Sequence, residues 1–414
     1  MALPATIAVS FDFSSGATFG YPFTIGDAKY GVIGVSQFAA SEVPDPVVDL
    51  SANVKSISIR RGRNIIRDTY EAGSCTVDVY DPDGSWNPQN VNSPYYGYLT
   101  PLRKLRISAT TDTTQAFLFS GYTVEYRYTY PVGQELGYVT IVCADAFRLL
   151  NLAGVTTVAD AGAGQATGTR IGKILDQMQF PSNMRQLDTG DTLCQADPAT
   201  NRTGLDAIKN AEFSEQGAFY IDSEGTAQFK SRSNVIAASA GTQIEFNQTT
   251  GIPYANLVYA FDDKLIVNSS DMTIVGGTPQ SAFDQTSIDK YFPHQSNQSN
   301  LVAATNADAL NIAKAYVATR KDTTIRIDAM TVDLLDTAVP TDTMLGIDYF
   351  SVLKITNVQP EGSVITKTLQ CQGLAWNITP NKMQVTLTTL EPIIEGFVIG
   401  SDVSGIIGVS MMAY

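Results

Sequence analysis

The sequence predicts a mainly β protein with an α/β module, in which two small β-barrel domains lie before and after that module. Three observations predict this α+β fold class. Several short segments alternate between apolar and polar residues, which is the period of a half-buried strand. Turn-forming Gly, Pro, Asn and Asp separate these segments. The periodicity becomes helical mainly in the middle of the chain, so strand-rich and helical parts follow one another.

The composition is typical of a β-rich protein whose surface largely meets other protein. The chain of 414 residues is long enough for about two to four domains, and only 16% of its residues are charged. Its net charge is −14. A nucleic-acid-binding protein needs a cationic surface that displaces counterions, so this charge argues against that class. An acidic wall that lets DNA slide past is compatible with it, although solubility alone is the simpler explanation.

Cysteine usage and the N-terminus indicate a protein that folds in the cytoplasm. Cys75, Cys143, Cys194 and Cys371 form no CxxC pair, so we expect free and mostly buried thiols. The N-terminus lacks the basic region and the apolar core of a secretory signal. No stretch approaches the roughly 18 apolar residues of a membrane span, so we expect no membrane anchor.

Residues 1–50 are predicted to form an N-terminal arm and linker, because they are rich in Gly, Phe and Ser and end in the extended pair Pro44 and Pro46. Residues 51–158 are predicted to form the first β-barrel domain. Three segments there alternate at period two. Their apolar or aromatic positions are Cys75, Val77 and Val79, then Tyr122, Val124, Tyr126, Tyr128 and Tyr130, then Val139, Ile141 and Cys143.

Residues 159–240 are predicted to form the α/β module. Thr169 can cap a first helix, which Phe180-Pro181 ends and whose apolar face consists of Ile171, Ile174, Leu175 and Met178. Thr203, followed by Asp206 three residues later, has the spacing of a capping box for a second helix. The strand patterns Ala218–Ile221 and Thr226–Phe229 flank a turn and predict a hairpin.

Residues 241–390 return to strand patterns and are predicted to form the second β-barrel domain, with one helix near Asn306–Arg320. Strands are expected at Ser351–Thr356, Val364–Cys371 and Met383–Leu390. Residues 391–414 are predicted to form a C-terminal arm.

The two arms share an internal repeat. Phe23–Ser36 aligns without gaps with Phe397–Ser410, and eight residues coincide in type and order as Phe, Ile, Gly, Gly, Ile, Gly, Val and Ser. Such short apolar arms cannot bury themselves alone, so we expect both to make equivalent assembly contacts. An accidental similarity of Gly- and Ile-rich strands is the alternative. The predicted contact residues are Phe23, Ile25, Ile33 and Val35 in the first arm and Phe397, Ile399, Ile407 and Val409 in the second.

The sequence offers little for catalysis. A Ser-His-Asp triad would need the single histidine, His294, but no GxSxG motif exists and the residues around His294 suggest a loop. One His and four dispersed Cys have no zinc-site spacing. No phosphate-binding or dinucleotide-binding glycine motif is found. A glycosidase pair among the 41 carboxylates cannot be recognised from sequence. We therefore predict no catalytic residue, metal or cofactor.

An acidic turn and two basic clusters could each have a binding function, but each also has a simpler structural explanation. The segment from Asp81 to Gly84 superficially suggests a calcium loop, but it lacks the further oxygen ligands and is better explained as a turn. The basic clusters at Arg60–Arg63 and Arg103–Arg106 could contact another subunit or a lumen. Pairing with the many carboxylates, or a solvated strand face, is the simpler explanation of both clusters.

Several stretches, taken in order, resemble the tail-hub (minor tail) proteins of long-tailed, siphovirus-like bacteriophages. Ser56–Arg63, Ala72–Pro88 and Ser93–Ile107 look like the first barrel of that family. Gly168–Asp176 and the segment from Leu205 to Gly225 resemble its α/β module. The end of the chain, Gly373–Pro380 followed by Met383–Pro392, resembles its closing strands.

The resemblance implies a ring-type tail hub at the tail tip of a virion, assembled in the host cytoplasm. Three chains with two small barrels each would form a homotrimeric ring of pseudo-sixfold symmetry. Such a ring would join the tail tube to the tail tip and contact tail-tube, distal tail and tail-tip or fibre proteins. DNA would pass through it without specific binding. The resemblance implies no catalytic residues, because none belong to a tail hub.

Other functions remain compatible with the sequence. A distal tail ring protein is a related possibility. A receptor- or carbohydrate-binding tail protein is another, since Trp86, Tyr95, Tyr96 and Tyr98 could form an aromatic platform. A tail-associated hydrolase is the third, although no motif supports it.

Overall fold

The computed structural model describes residues 3–19, 47–65, 68–130, 137–323 and 326–391. Within these ranges the protein is mainly β, and a 13-stranded sheet forms the body of the molecule. Two three-stranded and two two-stranded sheets accompany it. None of the helices in these ranges has both the length and the apolar character that crossing a bilayer requires.

The first part of the chain forms one half of the large sheet. Its strands are β1 Thr6–Asp12, β2 Val47–Asp49, β3 Val54–Asn64, β4 Thr69–Tyr80, β5 Lys104–Thr110, β6 Gln115–Thr129 and β7 Tyr138–Ala144. The predicted alternation of β4 and β7 is confirmed, because Cys75, Val77, Val139 and Ile141 are all buried. The alternation of β6 is wrong at one point, since a bulge beside Val124 turns that side chain into solvent.

The middle of the chain folds into a helical module with short strands. Its elements are α1 Phe147–Leu152, β8 Gly154–Val155, β9 Gln165–Ala166, α2 Thr167–Gln177, β10 Arg185–Leu187, β11 Leu193–Cys194, β12 Arg202–Thr203, α3 Gly204–Glu215, β13 Ala218–Ile221, β14 Ala227–Lys230 and α4 Arg232–Ala237. The predicted capping box of Thr203 and Asp206 is present, and β13 pairs with β14 as the expected hairpin. Helix α2 begins two residues before the expected cap, because the buried Thr167 hydroxyl donates to Glu215 instead of staying in solvent.

The last part of the chain forms the other half of the large sheet and a small subdomain. Its elements are β15 Gln243–Asn247, β16 Asn256–Ala260, β17 Ser269–Ile274, β18 Gln280–Phe283, α5 Gln285–Tyr291, β19 Gln295–Leu301, α6 Asn306–Ala318, β20 Arg326–Asp333, α7 Thr341–Leu345, β21 Val352–Val358, β22 Val364–Thr379 and β23 Lys382–Leu390. The expected helix is α6, which packs on the sheet β18-β17-β19. Two further helices, α5 and α7, are too short to show a helical period in the sequence.

The two halves of the large sheet have the same strand order. In the first half the neighbours run β1-β5-β6-β7-β4-β3, and in the second they run β15-β21-β22-β23-β20-β16. If the short strand β2, which pairs only with β1, is set aside and the remaining six strands of each half are numbered in chain order, both halves read 1-4-5-6-3-2. One pairing differs, because β1 is antiparallel to β5 whereas β15 is parallel to β21. The chain therefore contains one sheet topology twice.

Strand β22 joins the halves. Its first part pairs with β21 and its second part pairs with β3, so that β21 and β3 lie end to end along one side of it. A register shift between Cys371 and Gly373 marks the change. The buried apolar residues of both halves form one continuous core. The module has a separate core, which also includes Tyr70, Tyr122 and Phe350 of the strand-rich parts.

Candidate functional site

The predicted assembly contacts lie outside the described residues. These are Phe23, Ile25, Ile33, Val35, Phe397, Ile399, Ile407 and Val409. The structure does describe where the body meets each predicted arm. Phe19 is buried against Tyr122 and the Arg106 guanidinium, in the first half of the sheet. Glu391 pairs with Lys367 of β22, 2.7 Å away, in the second half.

The histidine lies in no triad among the described residues. Its Nε2 is 3.3 Å from Asp263 Oδ2, and its Nδ1 is 3.1 Å from the Phe292 carbonyl. No Ser or Cys side chain in the described ranges hydrogen-bonds to it. Within the same ranges, no group of three or more His, Cys, Asp or Glu side chains could hold a metal ion. The His294 ring therefore contacts Asp263 and the Phe292 carbonyl, which stabilises its loop, and among the described residues it has no nucleophile as a partner.

The four cysteines are free and buried, as expected. Cys75 and Cys143 are register partners on β4 and β7. The Asp145 N–H donates to the Gly73 carbonyl at 3.0 Å, which makes that pair a hydrogen-bonded one. Hydrogen-bonded and non-hydrogen-bonded pairs alternate along an antiparallel ladder. Cys75 and Cys143 lie two positions from that pair, so they also form a hydrogen-bonded pair, in which the Cα atoms are farther apart than in the other type. Burial raises the pKa of Cys143 to about 12.

The segment after β4 forms a turn, and the described residues provide no calcium ligand set there. The Asp81 carboxylate accepts hydrogen bonds from the Ser85 and Trp86 N–H groups, at 2.8 and 3.1 Å. Gly84 has a φ of 63°, which a side chain would disfavour. Burial raises the pKa of Asp81, and the two backbone donors oppose this shift. The Asp81 carboxylate is thus occupied by hydrogen bonds within its own loop.

The aromatic platform on which a carbohydrate-binding function would depend is not present, because most of its rings are turned into the core. Trp86 is only 4% exposed and stacks on Phe13, with 5.9 Å between ring centroids. Tyr95 also stacks on Phe13, at 5.0 Å, and Tyr98 packs against the same core. Tyr96 alone of the four is exposed. The loop covers one end of the first half-sheet, because burying large rings stabilises the core more than exposing them to solvent.

Both basic clusters contain ion pairs with carboxylates. Arg61 Nη2 lies 2.9 Å from Asp348, and Arg63 shares Asp68 with Arg320, each at 2.6 Å. Burial lowers the pKa of Arg61, but Asp348 and Tyr349 outweigh burial and keep it above its ordinary value. Asp348 and Arg320 are remote in sequence from this cluster, so no local pattern could have revealed them, whereas Asp68 lies five residues after Arg63. In the other cluster, buried Lys104 pairs with Asp12.

Exposed large apolar side chains lie mainly on loops and at strand ends. Three phenylalanines in the described ranges are exposed, Phe261, Phe283 and Phe292, here called the Phe patch, and buried Asn268 holds the backbone at or next to two of them. The Asn268 side chain donates to the Phe292 carbonyl, and its backbone carbonyl accepts from the residue after Phe283. Phe292 is 81% exposed and has a φ of 64°, which is unusual for a bulky residue. Such a combination marks a contact surface. Val358 and Val364 form a second exposed pair at the β21–β22 turn.

A cleft of about 860 Å³ lies between α3, α4, α6 and the start of β4. Both signs of charge are present on its walls, where Arg63, Asp68 and Arg320 form the ion-pair network described above. Apolar side chains such as Phe213 and Ile312 lie between the charges. This mixture suits a polypeptide segment better than a phosphate or a small apolar ligand.

No family model and no curated protein matches this sequence. Two solved structures are similar to it over most of their length. One is the tail protein from Neisseria meningitidis MC58, at a TM-score of 0.54 and 10% identity, covering 94% of this chain and 96% of that one. The other is the 43 kDa tail protein of prophage MuSo2 from Shewanella oneidensis, at a TM-score of 0.51 and 10% identity, covering 84% and 94%. The chain therefore has the fold of these tail proteins.

Proposed function

We propose that this protein is a structural component of a phage tail tip, a hub that joins the tail tube to the tip and surrounds the DNA path. Three copies form a ring in the virion, assembled in the host cytoplasm. Neighbouring tail-tube, distal tail and tail-tip or fibre proteins are its partners. No enzymatic activity is part of this function.

The doubled strand order is the observation that carries the proposal. A chain with one sheet topology twice presents two similar units to its neighbours. Three such chains present six units, which matches a sixfold tube on one side and a threefold tip on the other. A distal ring built from one unit per chain would need six chains instead. The doubling therefore favours the trimeric hub over the distal ring.

Each half of the sheet is further proposed to close into a small barrel. In the first half, β2 continues through Ser51–Asn53 directly into β3, at the opposite edge of that half. Ser51 Oγ accepts from the Val9 N–H at 2.9 Å, which holds this connection against β1. In the second half, the edge strands β15 and β16 are consecutive in the chain. The proposed domains are residues 51–158 and 241–390, with 159–240 as the module and 1–50 and 391–414 as arms. Strands β1 and β2 of the first arm pair into the first half-sheet and complete its barrel.

The exposed apolar surfaces supply contacts for partners. The Phe patch and the Val358–Val364 pair are exposed in the single chain, and neighbouring tail proteins would cover them. A receptor- or carbohydrate-binding function has less support, because the platform on which it depended is buried.

The native mass of the purified full-length chain tests this proposal. We expect a trimer by sedimentation equilibrium and native mass spectrometry. A hexamer would support a distal tail ring protein instead of the trimeric hub. A monomer at all concentrations, also in the presence of tail-tube protein, would contradict both ring functions. Phe292→Ser is a matched surface variant, which should keep the trimer if the Phe patch serves partners rather than copies of this chain.

A further inference from the structure

The core-distant face of the large sheet carries a mainly polar surface, in which Val142, Ala144 and Ala375 are the apolar members of two neighbouring rows. Strand register places one residue from each of six neighbouring strands in a single row: Val142, Thr76, Ser58, Asn377, Gln384 and Asp333. The row crosses β7, β4, β3, β22, β23 and β20, and therefore both halves of the sheet. We call this surface the polar sheet face. The parallel row beside it contains Ser74, Arg60, Thr386 and Thr331.

Side chains on this face hydrogen-bond to one another. The Asp78 carboxylate accepts from Ser56 Oγ and Thr140 Oγ1, both at 2.6 Å. Gln384 Nε2 donates to Asp333 Oδ2 at 3.0 Å. The hydroxyls of Thr331 and Thr386 are also 3.0 Å apart. Bonds across neighbouring strands fix short side chains in place, so the surface is smooth and ordered.

This face differs from the surfaces that would bind partners. None of the exposed large apolar residues in the described ranges lies in either row. Arg60 is the single cation of the two rows, and the Asp78 and Asp333 carboxylates are occupied by hydrogen bonds. A polyanion binds where several cations can release its counterions, and it finds no such cluster in these rows. The chemistry suits a wall past which DNA moves without being held.

The dimensions agree with such a wall. Six strands at a spacing of about 4.8 Å span about 29 Å, and three chains would give a circumference of about 86 Å. This corresponds to a bore of about 27 Å between backbones, and strand tilt would widen it. Side chains on opposite walls occupy part of this width, so the passage of a duplex requires the widening that strand tilt supplies.

We infer that the polar sheet face lines the channel of the ring and lets DNA pass without binding. The inference rests on the proposed trimeric hub and adds the identity of the lumen wall. It assigns Ser58 and Thr386 to the channel, and the exposed loops and the module to the exterior.

Thiol accessibility in the assembled ring tests the inference. Ser58→Cys and Thr386→Cys would be compared with Gln177→Cys, which lies at the exposed end of α2. The four natural cysteines are buried and free, so they give little background. Each purified ring would be treated with a small maleimide and with a maleimide carried on a globular protein too wide for the bore. We expect all three to react with the small reagent, and the two channel variants to react with the bulky one at least about tenfold more slowly than the control.

The outcomes separate this inference from the function on which it rests. Equal labelling of all three variants by the bulky reagent, on a ring of confirmed mass, would overturn the lumen assignment alone. A monomeric mass would overturn the hub itself. DNA binding gives a second readout. The natural ring should not retard duplex DNA at physiological salt, whereas the double variant Ser58→Arg and Thr386→Arg should retard it in a salt-dependent manner. Retardation by the natural ring would contradict a non-binding wall.

Discussion

Gly62 of β3 and Gly373 of β22 face each other where the two halves of the sheet join. A Cβ on Gly62 would lie 2.9 Å from the Gly373 Cα, and a Cβ on Gly373 would lie 3.1 Å from the Arg61 carbonyl. The first distance is shorter than real Cβ atoms show, and the second is tighter than most of their contacts. The two strands can therefore pair here only because neither residue has a side chain.

Gly62→Ala should destabilise the protein by about 1–3 kcal/mol, because the added methyl must push the two backbones apart. Chemical denaturation followed by tryptophan fluorescence would measure the change, since Trp376 lies in β22 close to the junction. Gly162→Ala is the matched control, because a Cβ there meets no atom within 4 Å. Equal stability of the two variants would show that the junction relaxes freely.

Arg61→Met should cost about 1.5–3 kcal/mol, because it removes a charged hydrogen bond to Asp348, whose side chain is 38% exposed and remains partly hydrated. Arg127→Met removes a pair with Glu125 in which both side chains are largely exposed, so its cost should stay below about 1 kcal/mol. Urea denaturation of both variants would measure the difference. A small effect for Arg61→Met would mean that the pair contributes little to holding β3 against the segment before β21.

Protonation of Asp145 should make stability depend on pH. Burial raises its pKa to about 7, against an ordinary value of 3.8. The folded state then binds this proton more tightly than the unfolded state. Its contribution is fully present below about pH 4 and is lost as the pH rises through about 7. The free energy of unfolding of Asp145→Asn should accordingly change less over this range than that of the natural protein. Asp112→Asn, on the exposed β5–β6 turn, should leave the profile unchanged.

The cysteines should remain unreactive thiols in the folded protein. Burial raises the pKa values of Cys143 and Cys371 to about 12 and that of Cys194 to about 11, so thiolates are scarce at neutral pH. A chromogenic disulfide reagent should therefore detect no thiol at pH 8 and four after denaturation. A mild oxidant should not link Cys75 to Cys143, because both thiols are buried and burial raises their pKa values, so that the reactive thiolate is scarce. A mass loss of two hydrogens without denaturant would refute this.

Removal of residues 396–414 should weaken assembly if the second copy of the repeat makes the contacts that we predict for it. The described residues end at Glu391, which is paired with Lys367, so the truncation removes no residue of the described core. Sedimentation velocity over a concentration series would detect the loss, and thermal unfolding at high dilution would report the stability of the single chain. Unchanged assembly and unchanged stability together would eliminate the arm as a contact.

Local signals in the sequence were sufficient for some of this structure. The Thr203 capping box, the β13–β14 hairpin and the alternation of β4 and β7 depend on residues close in sequence, and the structure confirms all three. The burial of Trp86 and the partner of Arg61 depend on contacts between distant segments. The doubled strand order is also a property of pairing rather than of any local pattern, because the two halves share no obvious sequence repeat in their strands.

The length of β22 has a mechanical consequence. Its 16 residues form one uninterrupted strand that pairs with β21 at one end and β3 at the other. A hinge needs a few residues that can change their backbone angles freely. In β22 the residues from Gly373 to Ile378 are paired with β3 on one side and β23 on the other, and those before Gln370 are paired with β21, so ladder hydrogen bonds restrain the strand on both sides of the register shift. Force applied to one half of the chain must therefore travel into the other along a continuous backbone of about 53 Å. A pull or twist at one end of such a ring would be felt at the other end as a rigid displacement rather than absorbed in between.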